Sequence, residues 1–324
     1  MKGFKMEKIN VILDCDTGID DALAILLALR SDRINLVGIC ACAGNTVLRN
    51  AYINSKRMVK LLDREDVPVV CGSRGPLVRE LELADDVHGS DGFGGIAEQF
   101  DKKYGFDLAK AEADYEKALV EDDVVEFVKD TVEKYDNVVL VTIGPMTNLA
   151  KTLKKYPESF AKLSRIVSMG GSYKRGGNVT EHAEFNYWVD PDAAAYVYEN
   201  SPVKIEMVGL DVTHQILLSR ERLEDLKKIN SYLGDFVEEI TDFYFEFYME
   251  KNGIAGCVMH DPLTFGHLID DDILNGELVR IGIDTTDEKR GKCVVQEGEP
   301  NALVFIEADE DRFFKTLNKA MEEN

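Results

Sequence analysis

The sequence predicts an α/β protein, a single-domain, open, mostly parallel sheet with helices on both faces. Three observations predict it. Short, β-branched apolar runs alternate with helical patterns along most of the chain, the pattern of parallel strands joined by crossover helices. Most of those runs are apolar on both faces, as in a sheet covered on both sides. The 324 residues hold no internal repeat and no low-complexity linker, so residues 1–324 read as one domain large enough to bury a sizeable core.

In chain order, Ile9–Leu13 reads as a short buried strand. Ala22–Leu29, apolar on every face and too long for a typical strand, reads as a buried helix. Strands follow at Ile34–Ala41, Val67–Val70, Val138–Ile143, Ile166–Met169 and Val203–Val208. Helices Val47–Leu62, Asp122–Lys134, Thr147–Lys155 and Pro191–Glu199 lie between them. Cys71–Gly95, rich in glycine and acids, reads as a long loop. Leu223–Lys228, Leu233–Met249 and Leu263–Leu268 continue as helices. Asp270-Asp271-Asp272 lacks the spacing and central glycine of an EF-hand loop and reads as a solvated turn. Ile281–Ile306 reads as strands around the polar turn Asp287–Gly291, and Asp309–Met321 as a closing helix.

Charge and cysteine usage narrow the function classes. Lys plus Arg number 38 against 60 for Asp plus Glu, a net charge of −22. That argues against nucleic acid or an anionic membrane as partner, since both need a basic surface. The six cysteines (15, 40, 42, 71, 257 and 293) form no C-x-x-C pair, as expected of buried free thiols in a reducing cytosol. The N-terminal segment has lysines but only a short apolar run before an acid, unlike a signal peptide. No apolar stretch approaches the roughly 18 residues of a membrane span. A cytoplasmic location is the expectation.

The chemistry is concentrated at Asp14-Cys15-Asp16-Thr17-Gly18-Ile19-Asp20-Asp21, four carboxylates in eight residues. They lie in the turn leaving a strand and in the first turn of a helix, where open α/β sheets bind ligands. An Asp at a helix start is commonly a cap or a dipole partner, which explains one or two of these acids but not four. Burying them unpaired would be prohibitive. A hard divalent cation, Ca²⁺ or Mg²⁺, takes oxygen ligands and resolves the conflict. Asp16, Asp20 and Asp21 are the candidate ligands, while Asp14, still inside the strand, is expected to be structural.

Other strand ends carry polar residues too. Gly44-Asn45-Thr46 precedes a helix that either Asn45 or Thr46 could cap. At Ile143-Gly144-Pro145 a sharp turn frees carbonyls, and the Ile143 C=O could complete a cation's shell. The loop Gly176–Asn186 places Asn178, Glu184 and Asn186 close together; such side chains suit sugar hydroxyls, although surface solvation explains them equally well. In His260-Asp261-Pro262 the proline makes Asp261 a candidate N-cap. The aromatic stripe Phe243–Tyr248 reads as core before it reads as pocket. His88-Gly89-Ser90-Asp91-Gly92 lies in the irregular loop, where glycines permit motion.

Taken together these residues resemble the nucleoside hydrolases, the inosine-uridine-preferring N-ribohydrolase family. The family's D-x-D-P-G-x-D-D-A motif matches Asp14–Ala22, with Thr17 in place of the proline. The likeness continues at Ala43-Gly44-Asn45, His88–Gly92, Gly144–Leu149, Gly177-Asn178, Ala183–Asn186 and His260-Asp261-Pro262, in the family's order. It implies the nucleoside hydrolase fold with its Rossmann-like core and one Ca²⁺ held by Asp16, Asp20, Asp21, Asp261 and the Ile143 carbonyl. The ribose 2′- and 3′-hydroxyls and a water would complete that shell. Asn45, Asn178, Glu184 and Asn186 would grip the ribose, with Met169 near its 5′ end. Asp16 would be the general base. His260 would sit by the leaving base, with His88, Phe185, Tyr244 and Tyr248 lining the base side. A homotetramer or homodimer is implied, acting on a small nucleoside.

The expected reaction is hydrolysis of the N-glycosidic bond of a purine or pyrimidine ribonucleoside. Positive charge builds at C1′ and the ring oxygen, stabilised by surrounding carboxylates and amides. Direct attack by water predicts inversion. Histidine titrates where proton transfer to a departing base is useful, so His260 is the expected acid. An aspartyl-phosphate phosphatase also opens with strand and D-x-D, but Gly18 stands where it needs Thr or Val. A non-catalytic nucleoside or ribose binder with the same pocket is the other alternative. A pentose-transferring enzyme lacks support, because no phosphate-cradling Gly-rich loop is followed by Lys.

Overall fold

The computed structural model describes residues 8–121 and 123–322. Among the described residues twelve strands run in chain order as β1 (Ile9–Cys15), β2 (Ile34–Ala41), β3 (Val69–Cys71), β4 (Val138–Thr142), β5 (Arg165–Met169), β6 (Ile205–Val208), β7 (Leu217–Leu218), β8 (Cys257–Val258), β9 (Leu274–Val279), β10 (Ile281–Ile283), β11 (Cys293–Val295) and β12 (Ala302–Ala308). Eight of them form one sheet in the order β3-β2-β1-β4-β5-β6-β12-β9. Every pairing in it is parallel except that of edge strand β9 with β12. The open, mostly parallel sheet is the one expected.

The crossover helices are α1 (Ile19–Arg30), α2 (Leu48–Leu61), α3 (Asp85–His88), α4 (Ala97–Tyr104), α5 (Leu108–Glu121), α6 (Val124–Lys134), α7 (Thr147–Lys155), α8 (Pro157–Phe160), α9 (Phe185–Val189) and α10 (Pro191–Asn200). After β6 come α11 (Leu210–Thr213), α12 (Arg220–Ile229), α13 (Ser231–Asn252), α14 (Pro262–Ile269) and α15 (Glu310–Met321). Helices cover both faces. In β1, Val11 and Leu13 pack into a core with α1, α2, α13 and α14, while Ile12 packs into another with α6, α7 and α10. That split follows from side chains alternating along a strand.

Where boundaries differ from expectation, a backbone group explains it. Pro68 has no N–H to give a ladder, and β3 begins at Val69, not Val67. The Val203 N–H goes to Ser201 Oγ at 3.2 Å, delaying β6 to Ile205. Asp122, the expected first residue of α6, lies outside the described residues, as does Met1–Glu7 of the N-terminal segment read above; Asp123 caps α6 through Val125 N and Glu126 N. Strand β9 was hidden because its edge position leaves Leu278 58 % exposed and its apolar pattern broken. The acidic run 270–272 is a capped turn leading into it. The six cysteines are free and buried. Among the described residues no helix is long and apolar enough to cross a membrane.

Chain order places the site. From β1 the chain crosses to β2 on one side, while β4 lies on the other. The loops leaving the carboxyl ends of β1 and β4 therefore diverge, and a crevice opens between them. The long loop 71–95, irregular except for α3, folds over this end. The Asp91 carboxylate gathers the amides of Phe93, Gly95 and Ala97 at 2.8, 2.9 and 3.0 Å. Asn54 Nδ2 bridges the Asp91 and Thr17 carbonyls, both at 3.1 Å. Arg57 holds Asn54 Oδ1 at 2.7 Å and pairs with Asp101 through Nε and Nη2 at 2.8 and 2.9 Å. The loop that carries His88 is thus tied to the turn that carries the acids.

Candidate active site

A cavity of about 690 Å³ opens at the carboxyl end of the sheet. Its lining brings together Asp20, Asn45, His88, Ile143, Met169, Asn178, Glu184, Phe185, Asn186, Tyr244, Tyr248, His260 and Asp261, which the sequence spreads over more than two hundred positions. Asp16 and Asp21 do not line it. They lie fully buried beneath its floor.

The acids are arranged by α1. Gly18 stands at its N-cap, and Asp21 Oδ2 accepts the Gly18 N–H at 2.8 Å. Asp21 Oδ1 accepts from Asp16 N at 3.2 Å, and Asn45 Nδ2 donates to Asp21 Oδ2 at 3.0 Å. Asn45 N donates to Asp16 Oδ2 at 2.6 Å. Asn45 is therefore no helix cap; Val47 holds the cap position of α2. Asp261 likewise makes no side-chain cap bond to α14. Its carboxylate instead lies with those of Asp20 and Asp21, one oxygen from each within 4.8 Å of the others. Asp14 stays structural, accepting from Asn148 Nδ2 at 2.6 Å and Thr142 Oγ1 at 3.1 Å.

This donor set suits a hard divalent cation. Asp16 Oδ1 and Asp20 Oδ1 are buried with no hydrogen-bond partner, a costly condition that a cation would relieve. Burial, reinforced by neighbouring carboxylates, holds the carboxyls of Asp16, Asp20 and Asp261 well above the usual range. Two glycines leave room for Asp16: a Cβ at Gly44 would lie 2.1 Å from Asp16 Oδ2, and one at Gly144 2.7 Å from Oδ1. The Ile143 carbonyl leaves the β4 ladder, as the Gly-Pro turn predicts. It accepts from Asn186 Nδ2 at 3.0 Å and keeps a second lone pair.

Glu184 differs from its expected surroundings. It caps α9, with Oε1 taking Asn186 N at 2.8 Å and Oε2 taking Gly171 N at 2.7 Å and Tyr187 N at 3.3 Å. Burial pushes its carboxyl up to about 7 despite these donors. Asn178 Oδ1 accepts from Phe185 N at 3.1 Å, closing the loop 178–185. Asn186 Nδ2 also reaches the Met169 carbonyl at 3.2 Å.

At the other end of the cavity, His260 is held on both sides. Nδ1 lies 2.8 Å from Thr213 Oγ1 and Nε2 2.7 Å from the Tyr248 hydroxyl. Burial first, then the nearby imidazoles and Arg175, hold its pKa well below the usual range. That direction runs against the expected titration in a useful range, because the buried, hydrogen-bonded setting favours the neutral imidazole. His88 Nδ1 accepts from Ile19 N at 3.1 Å, leaving Nε2 to carry the hydrogen, and burial lowers its pKa to about 3. The aromatic stripe divides. Tyr244, Phe247 and Tyr248 line the cavity, while Phe245 packs against Arg220. The Tyr244 ring lies 5.7 Å from that of His88 and 4.9 Å from that of Tyr248.

Sequence reasoning missed Thr213, His214, Arg175, Phe247 and Lys251. The signal for the first two was present, because Asp211-Val212-Thr213-His214 is a polar strand end like the others, after β6. The cations Arg175 and Lys251 lie among exposed residues and carried no signal.

Comparison with known proteins agrees with the geometry. A family model described as inosine-uridine preferring nucleoside hydrolase matches residues 11–315. Among curated proteins, the pyrimidine-specific ribonucleoside hydrolase RihA of Salmonella newport (strain SL254) is 35% identical over 319 residues, covering 96% of this chain and 98% of its own. RihA of Shigella boydii serotype 4 is 36% identical over 315 residues, covering 95% and 96%. Among solved structures, the plant nucleoside hydrolase PpNRh1 superposes with a TM-score of 0.88 at 27% identity, covering 98% of this chain and 100% of that one. A purine-preferring ribonucleoside hydrolase from Gardnerella vaginalis gives 0.83 at 29% identity, covering 96% and 98%.

Proposed function

Because the chain belongs to the inosine-uridine preferring nucleoside hydrolase family, and is thus an N-glycosidase acting on ribonucleosides, we propose that it hydrolyses pyrimidine ribonucleosides, uridine and cytidine, by Ca²⁺-dependent inversion at C1′. The observation that carries this reading is the convergence of an acid cluster, a carbonyl and amide array, and a histidine–tyrosine pair on one cavity. The likeness to pyrimidine-specific enzymes supports the base preference.

Asp16, Asp20, Asp21, Asp261 and the Ile143 carbonyl would hold the cation, which when bound orients the attacking water and lowers its pKa. Asp16 accepts that water's proton. Asn45, Asn178, Glu184, Asn186 and Met169 bind and orient the ribose, with the carboxylate and amide oxygens facing the charge that develops at C1′. His88, Phe185, Tyr244 and Tyr248 enclose the base. For a base that needs a proton, the Tyr248 hydroxyl, 2.7 Å from His260 Nε2, donates it, and the tyrosinate left behind is reprotonated from solvent through the imidazole. The protein acts as a homo-oligomer in the cytoplasm.

The test is ribose release from uridine, cytidine, inosine and adenosine, with and without EDTA and with Ca²⁺ restored. Release, highest for the pyrimidines and lost in EDTA, is expected. No release from any nucleoside with Ca²⁺ present would leave a nucleoside-binding protein instead.

The cation has a thermal signature independent of turnover. In cation-free protein the raised carboxyls keep protons that the unfolded chain has already released above about pH 5. The folded state then binds more protons, so stability falls as pH rises. Calcium removes that cost. In EDTA, Tm is expected to fall from pH 5.5 to 8, and the gain on adding Ca²⁺ to grow over the same range. At 100 times Kd the gain is about 2.7 kcal/mol, or about 4 °C for a chain of this size. A calcium shift that is absent, or equal at both pH values, would count against these ligands.

A further inference from the structure

Phe185 and Asn186, which line the cavity, stand on α9, a helix of five residues. A helix this short is not stable alone, so its place depends on what holds its ends. Glu184 holds the first. The last carbonyls are held from 102 positions along the chain, where Arg290 Nε donates to Trp188 O at 2.5 Å. Arg290 Nη2 donates to Val189 O at 3.2 Å. Both are carbonyls that a helix end leaves without an internal partner. The same guanidinium covers the Trp188 ring, with Cζ 3.9 Å from the centroid, and its Nη1 pairs with Glu82 Oε1 at 2.9 Å. The Arg290 side chain is 13 % exposed. Its neighbour Gly291 lies so close to α9 that a Cβ there would come within 2.7 Å of Trp188 Cα. The turn 284–292 between β10 and β11 carries both residues. Arg79 of loop 71–95 fastens it, donating to Thr285 O at 2.5 Å and to Asp287 Oδ1 at 2.9 Å. Trp188 in turn stacks on Phe185, ring centroids 6.5 Å apart and planes at 30°. Asn186 is fixed separately, its amide bonded to the Ile143 and Met169 carbonyls.

We propose that Arg290 is a positioning residue for nucleobase binding: by pinning Trp188 it sets the ring of Phe185 against the base, and it leaves the grip on the ribose untouched. The inference rests on the hydrolase reading, which places Phe185 beside the base. Arg290 itself is not among the residues that line the cavity. A half-buried ring without a fixed backing must be ordered when the base arrives, and that ordering costs affinity. A ring held beforehand avoids the cost. The two carbonyl bonds restrain the backbone of Trp188, and the cation over its face restrains the indole. Only a planar fork reaches two successive carbonyls and a carboxylate at once. Arg79 and Glu82 belong to the loop that also carries His88, so two walls of the base side are tied to one hairpin. A wall formed in advance serves ground state and transition state alike, so its loss falls on KM and not on kcat.

The experiment measures kcat and KM for uridine, and the inhibition constant of ribose, in the wild type, Arg290→Met, Arg290→Lys, Phe185→Ala and the double variant Phe185→Ala with Arg290→Met. Arg290→Met keeps the stem and removes the donors. It is expected to raise KM roughly 3–10-fold, the scale of a lost aromatic contact, with kcat and the ribose constant within about 2-fold. Arg290→Lys recovers part of the loss. In the double variant KM should rise no further than in Phe185→Ala alone, because the effect passes through that ring. Losses that multiply, or kcat and the ribose constant moving together with KM, would make Arg290 a structural residue and overturn the proposal. An unchanged KM would do the same. Trp188 is the chain's single tryptophan, so its fluorescence reads uridine binding without turnover. A wild type that releases no ribose would overturn the hydrolase reading, and the titration would then decide the proposal. A Kd for uridine raised roughly 3–10-fold in Arg290→Met would uphold it; an equal Kd, or no binding, would overturn it.

Discussion

Replacing Asp16 by Ala is expected to lower ribose release from every nucleoside by roughly 10⁴-fold or more, the combined loss of a general base and a ligand. Asp16 Oδ2 is fixed by the Asn45 amide at 2.6 Å while Oδ1 is buried with no partner. Gly44 and Gly144 pack against the carboxylate where no other residue would fit. A group held this tightly, with one oxygen unspent, is arranged to act on something the protein chain does not itself supply. The loss should not come from unfolding. In EDTA the carboxyl is a buried group held away from its preferred charge state, so Asp16→Ala should keep or raise the wild-type Tm. Asp16→Asn preserves shape and should be nearly as inactive. Turnover within tenfold of wild type in either variant would remove Asp16 from both roles.

His260→Ala is expected to slow cytidine roughly 10²–10³-fold, the usual scale for losing a positioned proton donor. The p-nitrophenyl riboside, whose leaving group needs no proton, should change by less than about 3-fold. The contacts at 2.7 Å to Tyr248 and 2.8 Å to Thr213 make His260 one link in a hydrogen-bonded chain, so Tyr248→Phe should reproduce much of the cytidine loss. Equal losses on both substrates would mean that His260 positions the sugar or the floor instead of serving the base. The companion measurement is the pH profile. Burial keeps the imidazole neutral, so the cytidine rate of the wild type should show no acid limb near 6.5, the ordinary histidine value. A limb there would show that substrate or cation resets the imidazole.

Much of the fold was legible because local pattern and global topology agree. Helix α7 runs over Thr147–Lys155 and β2 over Ile34–Ala41, as their apolar spacing predicts. Strands buried on both faces announce themselves as continuous apolar runs. Edge strand β9, half exposed and interrupted by Gly276, does not. Helices α4 and α5 sit in a polar stretch that carries few apolar positions, and they too went unread.

The site divides in the same way. Four carboxylates in eight residues are costly to bury unpaired, so the expectation of a cation and the place of Asp16, Asp20 and Asp21 at a strand-to-helix turn were written in the sequence itself. Whether Asn45 and Asp261 cap helices or face the acids was not, because both roles use the same residue types at the same spacing. Only the tertiary structure decided it: Val47 takes the cap of α2, Asp261 stands at the N-cap of α14 but turns no carboxylate oxygen to its amides, and Glu184, expected to grip a sugar, holds the start of α9. The lowered pKa of His260 belongs to the same class. It is set first by desolvation, which depends on residues brought from distant parts of the chain by the divergence of loops at β1 and β4.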